Sequence, residues 1–449
     1  MGTSRSPIKA EIVSLGCPKN LVDSELMLGL LARSGIELTD GREAGDFVLV
    51  NTCSFIREAR EESMETIRGL SASSRNGRKL VVAGCLVSHL GRELLEALPE
   101  VDAFIHPSAM PDVAHVVMTL LKGDLEEKFV RRDNPVAAEL PRMRLTSGHT
   151  AYVRIADGCD NRCSYCTVPS IRGPFRSRAP GAVEDEVRRL VNEGVVEINL
   201  IAQDSTLYGK DLHGARSLAA LLRRLCAIEG LKWLRLLYAH PAHFDGELIE
   251  TFRREPELCR YVDLPIQHVS DRILASMGRG VTSSRIHGLV TAIREKVVGA
   301  ALRTTVIVGY PGETDGEFGE LMDFISEARF ERLGAFAYSS EAGTAAALLP
   351  DQVDERVKTE RLSALMSLQQ GISREFNESL LGTEVDVLVD ASFPGGDYCG
   401  VGRTERDAPE VDGRVYLTGR HVRPGEIVRV TVIGADEYDL TGEVHVPEL

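Results

Sequence analysis

The stretch GCDNRCSYC at 158–166 follows the apolar run AYVRIAD at 151–157. A short run of this kind reads as a β-strand. Cys159, Cys163 and Cys166 therefore stand on the loop at the strand's C-terminal end. Three thiolates this closely spaced can hold three irons of a cubane 4Fe-4S cluster and leave the fourth iron without a protein ligand. An open iron can bind and reduce a ligand, whereas a fully ligated cluster only carries electrons. A zinc knuckle is the competing reading. Zinc prefers four ligands, usually from paired C-x2-C units, and no fourth Cys or His stands in this stretch.

Working outward, strand and helix alternate six times from about residue 148. The strands read AYVRIAD, EINLIAQD, WLRLLYAH, YVDLPIQ, ALRTTVIVG and RLGAFAYS. Amphipathic helical segments such as GAVEDEVRRLVNEG and SSRIHGLVTAIREKV lie between them. Six βα units do not close an eight-stranded barrel. They predict an open, partial barrel with its site at the C-terminal ends of the strands, where the cysteine triplet lies.

Upstream, KAEIVSL, DFVLVNT and KLVVAG read as strands, each followed by a helix, which predicts a parallel sheet covered by helices. Cys17, Cys53 and Cys85 each stand at or just past one of these strands, in SLGC, VNTC and VAGC. Strand C-termini of an open α/β sheet share one edge, so three cysteines distant in sequence are expected to meet there. Three separate buried thiols are the alternative. The equivalent placement favours a second three-ligand cluster with its own open iron. Cys226, Cys259 and Cys399 read as structural.

Residues 126–147 are charged, proline-bearing and aperiodic, and read as a linker between a domain at 1–125 and a core at 148–377. The remainder, 378–449, holds about five short strands separated by Gly, Pro and Asp, the pattern of a small antiparallel barrel. From 380 to 449 there are 14 acidic and 6 basic residues. The whole chain of 449 residues carries a net charge of −15. Both balances argue against a protein built mainly to hold nucleic acid, and favour a basic partner. No apolar run is long enough to span a membrane. The first residues lack the apolar core of a secretory signal, and the match to a short myristoylation pattern at Gly2 and Ser6 reads as chance. A cytoplasmic location with reduced cysteines is expected.

The C-x3-C-x2-C motif with Tyr165 before its last cysteine resembles the radical S-adenosylmethionine signature. With the N-terminal three-cysteine domain and a C-terminal TRAM (OB-like) barrel, the chain resembles the methylthiotransferases over nearly its whole length. The strings SLGCPKNLVDSE, NTCSFIREAREES, ADGCDNRCSYCTVPSIRGPFRSR, DLPIQH and GRTERDAPEVDGRVYL resemble the branch that modifies an aspartate of ribosomal protein uS12. The transfer-RNA adenosine branch, the alternative, usually has Gln and Asn where this chain has Pro18 and Lys19. One departure is Ala345, where the family usually keeps proline after Gly-Thr.

The resemblance implies a Rossmann-like N-terminal domain, a partial (βα)6 core, two 4Fe-4S clusters and S-adenosylmethionine. Cys159, Cys163 and Cys166 would hold the cluster that cleaves the cofactor to a 5′-deoxyadenosyl radical, which takes hydrogen from the aspartate β-carbon. Cys17, Cys53 and Cys85 would hold the cluster that carries the inserted sulfur. It also implies uS12 or the small ribosomal subunit as partner, docked through the acidic C-terminal barrel, together with a low-potential electron donor and a sulfur donor. Tyr165, Glu193, Gln203, Gly309, Pro311 and Gly312 are the candidate S-adenosylmethionine contacts. Plain turns explain the glycines about equally well, and a helix C-cap is the alternative for Glu193 and Gly194. Asp204 is expected to face the same site. Arg172, Arg176 and Arg178 read either as carboxylate ligands or as a solvated basic run. His240 and His268 stand at strand ends without an assigned role, and no catalytic side chain is assigned beyond the cluster ligands.

Overall fold

The computed structural model describes residues 7–39, 45–73, 77–132 and 140–445. The chain forms two compact units. One comprises 1–145 with 158–160 and 167–174, and the other comprises 146–157, 161–166 and 175–449.

The first unit is a six-stranded parallel sheet. Its strands are β1 (Lys9–Ser14), β2 (Glu37–Leu38), β3 (Phe47–Thr52), β4 (Lys79–Gly84), β5 (Ala103–Ile105) and β6 (Phe129–Val130), in the order β2-β1-β3-β4-β5-β6. Three of them were legible as strands. The other three have two or three residues each, too few to display a period. Strand β3 is buried at all six positions, as expected for a parallel strand covered on both faces. Phe47 and Leu49 enter one core cluster with Val81 and Ala83, while Val48 and Val50 enter another with Leu80 and Val82. Helices α1 (Pro18–Arg33) and α4 (Val113–Lys122) cover the first face through Met27, Leu31, Val113 and Val117. Helices α2 (Arg57–Ser73) and α3 (Cys85–Leu90) cover the second through Ile67, Leu86 and Val87. A short helix α5 (Val168–Arg172) joins α3, where Ser88 Oγ donates to Ile171 O at 2.7 Å.

Within the stretch 126–147, Phe129–Val130 pairs with β5, and Met143 N donates to Glu25 O at 2.9 Å. Arg142 Nε and Leu145 N both donate to the buried Glu25 carboxylate at 2.7 Å.

The second unit begins with β7 (Thr150–Arg154) and a short antiparallel pair, β8 (Ala156–Asp157) with β9 (Arg176–Ser177). Then follow β10 (Glu197–Ile201), β11 (Trp233–Leu236), β12 (Tyr261–Asp263), β13 (Ala301–Val308) and β14 (Arg332–Ala337). The six long strands form two parallel three-stranded sheets, β7-β10-β11 and β12-β13-β14. The six-unit expectation holds, but the ladder is interrupted between β11 and β12. A single bridge, Leu234 to Leu258, lies at that break. Helices α6 (Pro180–Asn192), α7 (Leu218–Cys226), α8 (Gly246–Arg254), α9 (Asp271–Ser276), α10 (Ser283–Lys296), α11 (Asp315–Ala328) and α12 (Glu355–Glu378) supply the outer layer. Their apolar stripes join the strands in one large core. Thr314 and Glu317 form a capping box at the start of α11.

Strands β15 (Glu384–Ser392), β16 (Gly400–Thr404), β17 (Val415–Gly419), β18 (Ile427–Ala435) and β19 (Leu440–Val444) close a small barrel in the order β15-β16-β17-β19-β18. The end of β16 and its connection to β17 reach the N-terminal ends of the core strands. Arg403 Nη2 donates to Glu197 Oε2 at 2.8 Å, and Arg332 Nη2 to Asp407 Oδ1 at 2.6 Å. Tyr261 Oη donates to Asp412 Oδ2 at 2.6 Å, Arg235 Nη1 to Glu405 O at 2.7 Å, and Tyr152 Oη to Pro409 O at 3.4 Å. Arg303 Nε lies 3.7 Å from Asp412 Oδ1. Each of the six long strands thus gives a side chain to this seal. The DAPEVDG motif, read in the sequence as a branch signature, belongs to the packing of the core.

Candidate cluster and cofactor sites

In the first unit the three strand-end cysteines converge. Cys17 is the N-cap of α1, with an extended backbone and no side-chain capping bond, and Pro18 takes the first helical position. Cys53 follows β3 directly, and Cys85 begins α3 directly after β4. Gly16 lies at φ +87°, and a Cβ there would sit 2.5 Å from Cys53 Cβ and 2.9 Å from its Sγ. Burial pushes the Cys53 thiol above its ordinary range, and neighbouring Cys17 adds to the rise. Burial likewise pushes Cys85 up to about 11, opposed by the Arg172 guanidinium and reinforced by Cys17 and Cys53. The three sulfurs are therefore within electrostatic reach of one another. Three thiols gathered at one sheet edge are a soft donor set suited to a thiophilic metal.

The sequence reading did not find what holds this triplet. Asn20 Nδ2 donates to Thr52 O at 2.7 Å and to Leu15 O at 3.1 Å, while Asn51 Nδ2 donates to Asn20 O at 2.7 Å. Arg172 adds to this network from α5. Its Nη1 donates to Asp23 Oδ2 at 2.6 Å, and its Nη2 to Asn20 Oδ1 at 2.7 Å and Cys85 Sγ at 3.2 Å. The signal was present in CPKNLVD, where Asn20 and Asp23 stand three and six residues after Cys17. A polar residue in an amphipathic helix carries no label saying that its partners are strand ends.

Gly84 gives a direct test of this edge. Its φ of +98° is a region that L side chains rarely adopt, and a Cβ would meet Asn51 Oδ1 and lie 2.6 Å from Thr52 O. Gly84→Ala is expected to cost about 3 kcal/mol in chemical denaturation, from backbone strain together with overpacking. Iron uptake by the adjacent Cys85 site should fall with it.

The loop carrying Cys163 and Cys166 is fixed at each residue from 161 to 164. Asn161 Nδ2 donates to Asp204 Oδ2 at 2.7 Å. Gly278 lies at φ +68°, where a Cβ would sit 2.7 Å from Arg162 O. Arg279 Nη1 lies 3.7 Å from Cys163 Sγ. Ser164 Oγ donates to Ser276 O at 2.9 Å and bonds Tyr310 Oη at 2.7 Å. Cys159 lies in the segment assigned to the first unit, where its N donates to Gly173 O at 3.2 Å.

The candidate cofactor contacts separate into three groups. Tyr165 packs beside Tyr310, Tyr338 and Met277, and burial raises its hydroxyl pKa. Gln203 follows β10, donates from Nε2 to Asp157 Oδ1 at 2.9 Å, and leaves Oε1 buried without a partner. Arg279 Nε, past the end of α9, is also buried without a hydrogen-bond partner, and His268 Nε2, after β12, has only the Glu313 carboxylate at 4.0 Å. The orphaned Gln203 Oε1 and Arg279 Nε fit a polar ligand.

Gly309, Pro311 and Gly312 form the turn after β13. Gly309 is at φ +71°, and a Cβ there would run into Lys358 Cγ. Its N and that of Tyr310 donate to Glu313 Oε2 at 2.6 and 3.1 Å. Packing against Lys358 is thus sufficient reason for that glycine. Glu193 is exposed and, with Gly194, ends α6, where Gly194 N donates to Val191 O at 2.9 Å. It precedes β10, at the opposite end of the strand from Gln203, so the structure does not bring it to this group.

Asp204 accepts from Thr206 N at 3.0 Å and bonds His243 Nδ1 at 3.0 Å. His240 stacks on His243 with ring centroids 4.8 Å apart. Burial first, then the charge of Arg279, hold His240 down to about 3, so it is neutral at physiological pH. Arg178 pairs with Glu186 at 2.5 Å, while Arg176 is exposed. The structure gives the three arginines of the basic run different surroundings. Ala345 has φ −65°, the value a proline would impose.

Comparison with known proteins accords with this architecture. A family model described as uncharacterized protein family UPF0004 matches residues 9–106, one for the radical SAM superfamily matches 153–325, and one for the TRAM domain matches 381–444. Among solved structures, the radical S-adenosylmethionine methyltransferase TsrM from Kitasatospora setae, with cobalamin and a 4Fe-4S cluster bound, superposes with a TM-score of 0.57 at 15% identity. It covers 77% of each chain, a likeness of fold. The fold and the matched families define a radical S-adenosylmethionine methylthiotransferase. A ribosomal protein uS12 methylthiotransferase RimO from Geobacter sulfurreducens is 47% identical over 98% of this chain and 99% of its own length. Its namesake from Heliobacterium modesticaldum is 47% identical over 97% and 95%. The chain belongs to the uS12 methylthiotransferase family. A 4Fe-4S cluster and S-adenosylmethionine come with the radical SAM class. No helix among the described residues is long and apolar enough to cross a membrane.

Proposed function

We propose that this chain methylthiolates the β-carbon of an aspartate in ribosomal protein uS12. The observation that carries this reading is the convergence of Cys17, Cys53 and Cys85 in a chain that also holds the Cys159, Cys163 and Cys166 motif. A radical methylase that inserts no sulfur has no use for the first triplet. An unactivated C–H is beyond any side-chain base at neutral pH, so the cofactors must supply the hard chemistry. When bound, the cluster on Cys159, Cys163 and Cys166 supplies the electron that cleaves S-adenosylmethionine, and the cluster on Cys17, Cys53 and Cys85 presents the sulfur to be inserted.

The chain's own residues position and shield. Asp204, Arg279 and Tyr310 fix the loop of Cys163 so that it need not reorganise on loading. Gln203 Oε1 and Arg279 Nε offer one acceptor and one cationic donor to the cofactor. His268, held down to about 4 chiefly by burial, is a neutral ring beside the Glu313 carboxylate. A mass spectrum of uS12 from cells with and without the gene tests the reading. Loss of one methylthio group on an aspartate peptide is expected. Its absence, with a missing methylthioadenosine in transfer RNA, would move the substrate to the other branch. A cytoplasmic location follows from this substrate, as does dependence on a low-potential electron donor and a sulfur donor.

Docking of a basic ribosomal protein is assigned to the outer face of the C-terminal barrel. Not all of its acidity is available, because Asp390, Asp407 and Asp412 are engaged by Arg403, Arg332 and Arg303. Glu384 and Glu443 are exposed and both lie opposite Thr431 across the ladder, so they share the solvent face. Glu384→Lys with Glu443→Lys is expected to raise KM for uS12 roughly tenfold at low salt, with the difference shrinking toward 0.5 M salt. An unchanged KM at every ionic strength would remove this face from the docking surface.

A further inference from the structure

We infer that Arg172 is a positioning residue for the cluster on Cys17, Cys53 and Cys85: its guanidinium locks Asn20 and donates to the Cys85 sulfur. The inference rests on the proposed reading of those cysteines as cluster ligands.

Three observations carry it. First, Arg172 is nearly buried, with its side chain 6% exposed, and so is its counter-charge Asp23 at 8%. A buried guanidinium is retained at a cost in desolvation unless its donors are matched, and here they are matched by three acceptors. Second, those acceptors sit where the cysteine-bearing strand ends meet. Asn20 is bonded to Leu15 O and Thr52 O, the chain just before Cys17 and Cys53, and Arg172 ties Asn20 to Cys85. Third, the approach of Arg172 is fixed by its own helix, through the Ser88 to Ile171 bond and through Gly173 N donating to Pro169 O at 3.1 Å.

Metal binding changes the Cys85 end of this network in a definite way. In the free thiol, Cys85 Sγ donates to Asn20 Oδ1 at 3.4 Å. On ligation that proton leaves, and the sulfur becomes an anionic acceptor. The bond from Arg172 Nη2 then becomes charge-assisted and strengthens. A planar fork can serve Asp23, Asn20 and Cys85 together, whereas a single ammonium cannot. Hydrogen bonds to cluster sulfurs raise the reduction potential, so Arg172 tunes this site as well as holding it. Arg172 stands six residues after Cys166, so the segment that leaves one cysteine motif supplies the clamp of the other.

The test uses the full chain carrying Cys159→Ala, Cys163→Ala and Cys166→Ala, reconstituted anaerobically with ferrous iron and sulfide. Iron per chain and the midpoint potential are measured, with Arg172→Met and Arg172→Lys added. The parent is expected to take up about four irons. Arg172→Met should take up less than about half of that, its cluster titrating at a more negative potential. Arg172→Lys should fall between. Parental iron and potential in Arg172→Met would overturn the inference. If Arg172→Met does not fold, Arg172→Lys decides: a more negative potential upholds the clamp, and parental values or a second unfolded chain overturn it. A parent that binds no iron would overturn the second-cluster reading itself, a separate result.

Discussion

Replacing Cys17, Cys53 and Cys85 together by Ala is expected to abolish methylthiolation of uS12 and leave reductive cleavage of S-adenosylmethionine running, within about twofold of the parent rate because the two cysteine sets are independent donors. Cys53 is buried at 6% exposure while Cys17 and Cys85 are partly exposed, and the bonds lost to Ala at Cys85, with Arg172 Nη2 and Asn20 Oδ1, leave those two atoms bonded to each other. Fold loss is therefore not the expected outcome. Cys163→Ala should differ in kind. On the proposed reading it removes a ligand of the cluster that binds S-adenosylmethionine, and both cleavage and methylthiolation should vanish. Chromatography of 5′-deoxyadenosine beside mass spectrometry of uS12 separates the two phenotypes. Methylthiolation surviving the first triple change would refute the sulfur-carrying role.

Glu197→Gln is expected to destabilise the second unit by about 3–5 kcal/mol, the cost of leaving buried charge uncompensated. The Glu197 carboxylate is fully buried and accepts from Arg403 at 2.8 Å, Arg235 at 3.1 Å and Thr150 at 2.7 Å. Glutamine removes the negative charge and turns an N–H toward two guanidinium groups. The melting temperature should fall by roughly 10 °C. Burial alone would raise the carboxyl pKa, but Arg403 and Arg235 overcome it and hold the group at about 2, against 4.5 for the free side chain. The folded value lies below the unfolded one. The contribution is therefore complete above pH 4.5 and is lost as pH falls from there through about 2. The parent should show this acid limb in stability against pH, and Glu197→Gln should lack this share of it. Equal stability of the two chains at pH 7 would remove the network from the account.

The same network changes how the C-terminal barrel is to be probed. Deleting 380–449 exposes Glu197, Arg235 and Arg332 at once, so an inactive truncation speaks to core stability as much as to docking. Charge reversal at Glu384 and Glu443 does not disturb that seal.

The sequence by itself determined the architecture and both cysteine triplets. Alternation of apolar strands with amphipathic helices is a local property, and it marked three strands of the first sheet, all six of the core and the small barrel. Cysteine spacing is also local, and placing Cys17, Cys53 and Cys85 at strand ends needed only the rule that parallel strands share a C-terminal edge. Strands β2, β5 and β6 escaped because two or three residues form a strand only when a neighbour offers its edge.

Tertiary structure alone decided the partners of polar side chains. Arg172, Arg176 and Arg178 look alike in a basic run, yet one clamps Asn20 and Cys85, one is exposed, and one pairs with Glu186. Asp407 and Asp412 read as surface acidity and a branch signature, yet they neutralise arginines at the bottom of the core. The physical reason is range. Backbone preference and hydrophobic period are set within a few residues, whereas a charge or a hydrogen bond is satisfied by whatever the fold brings within about 3 Å, and in this chain Glu197 and Arg403 stand 206 residues apart.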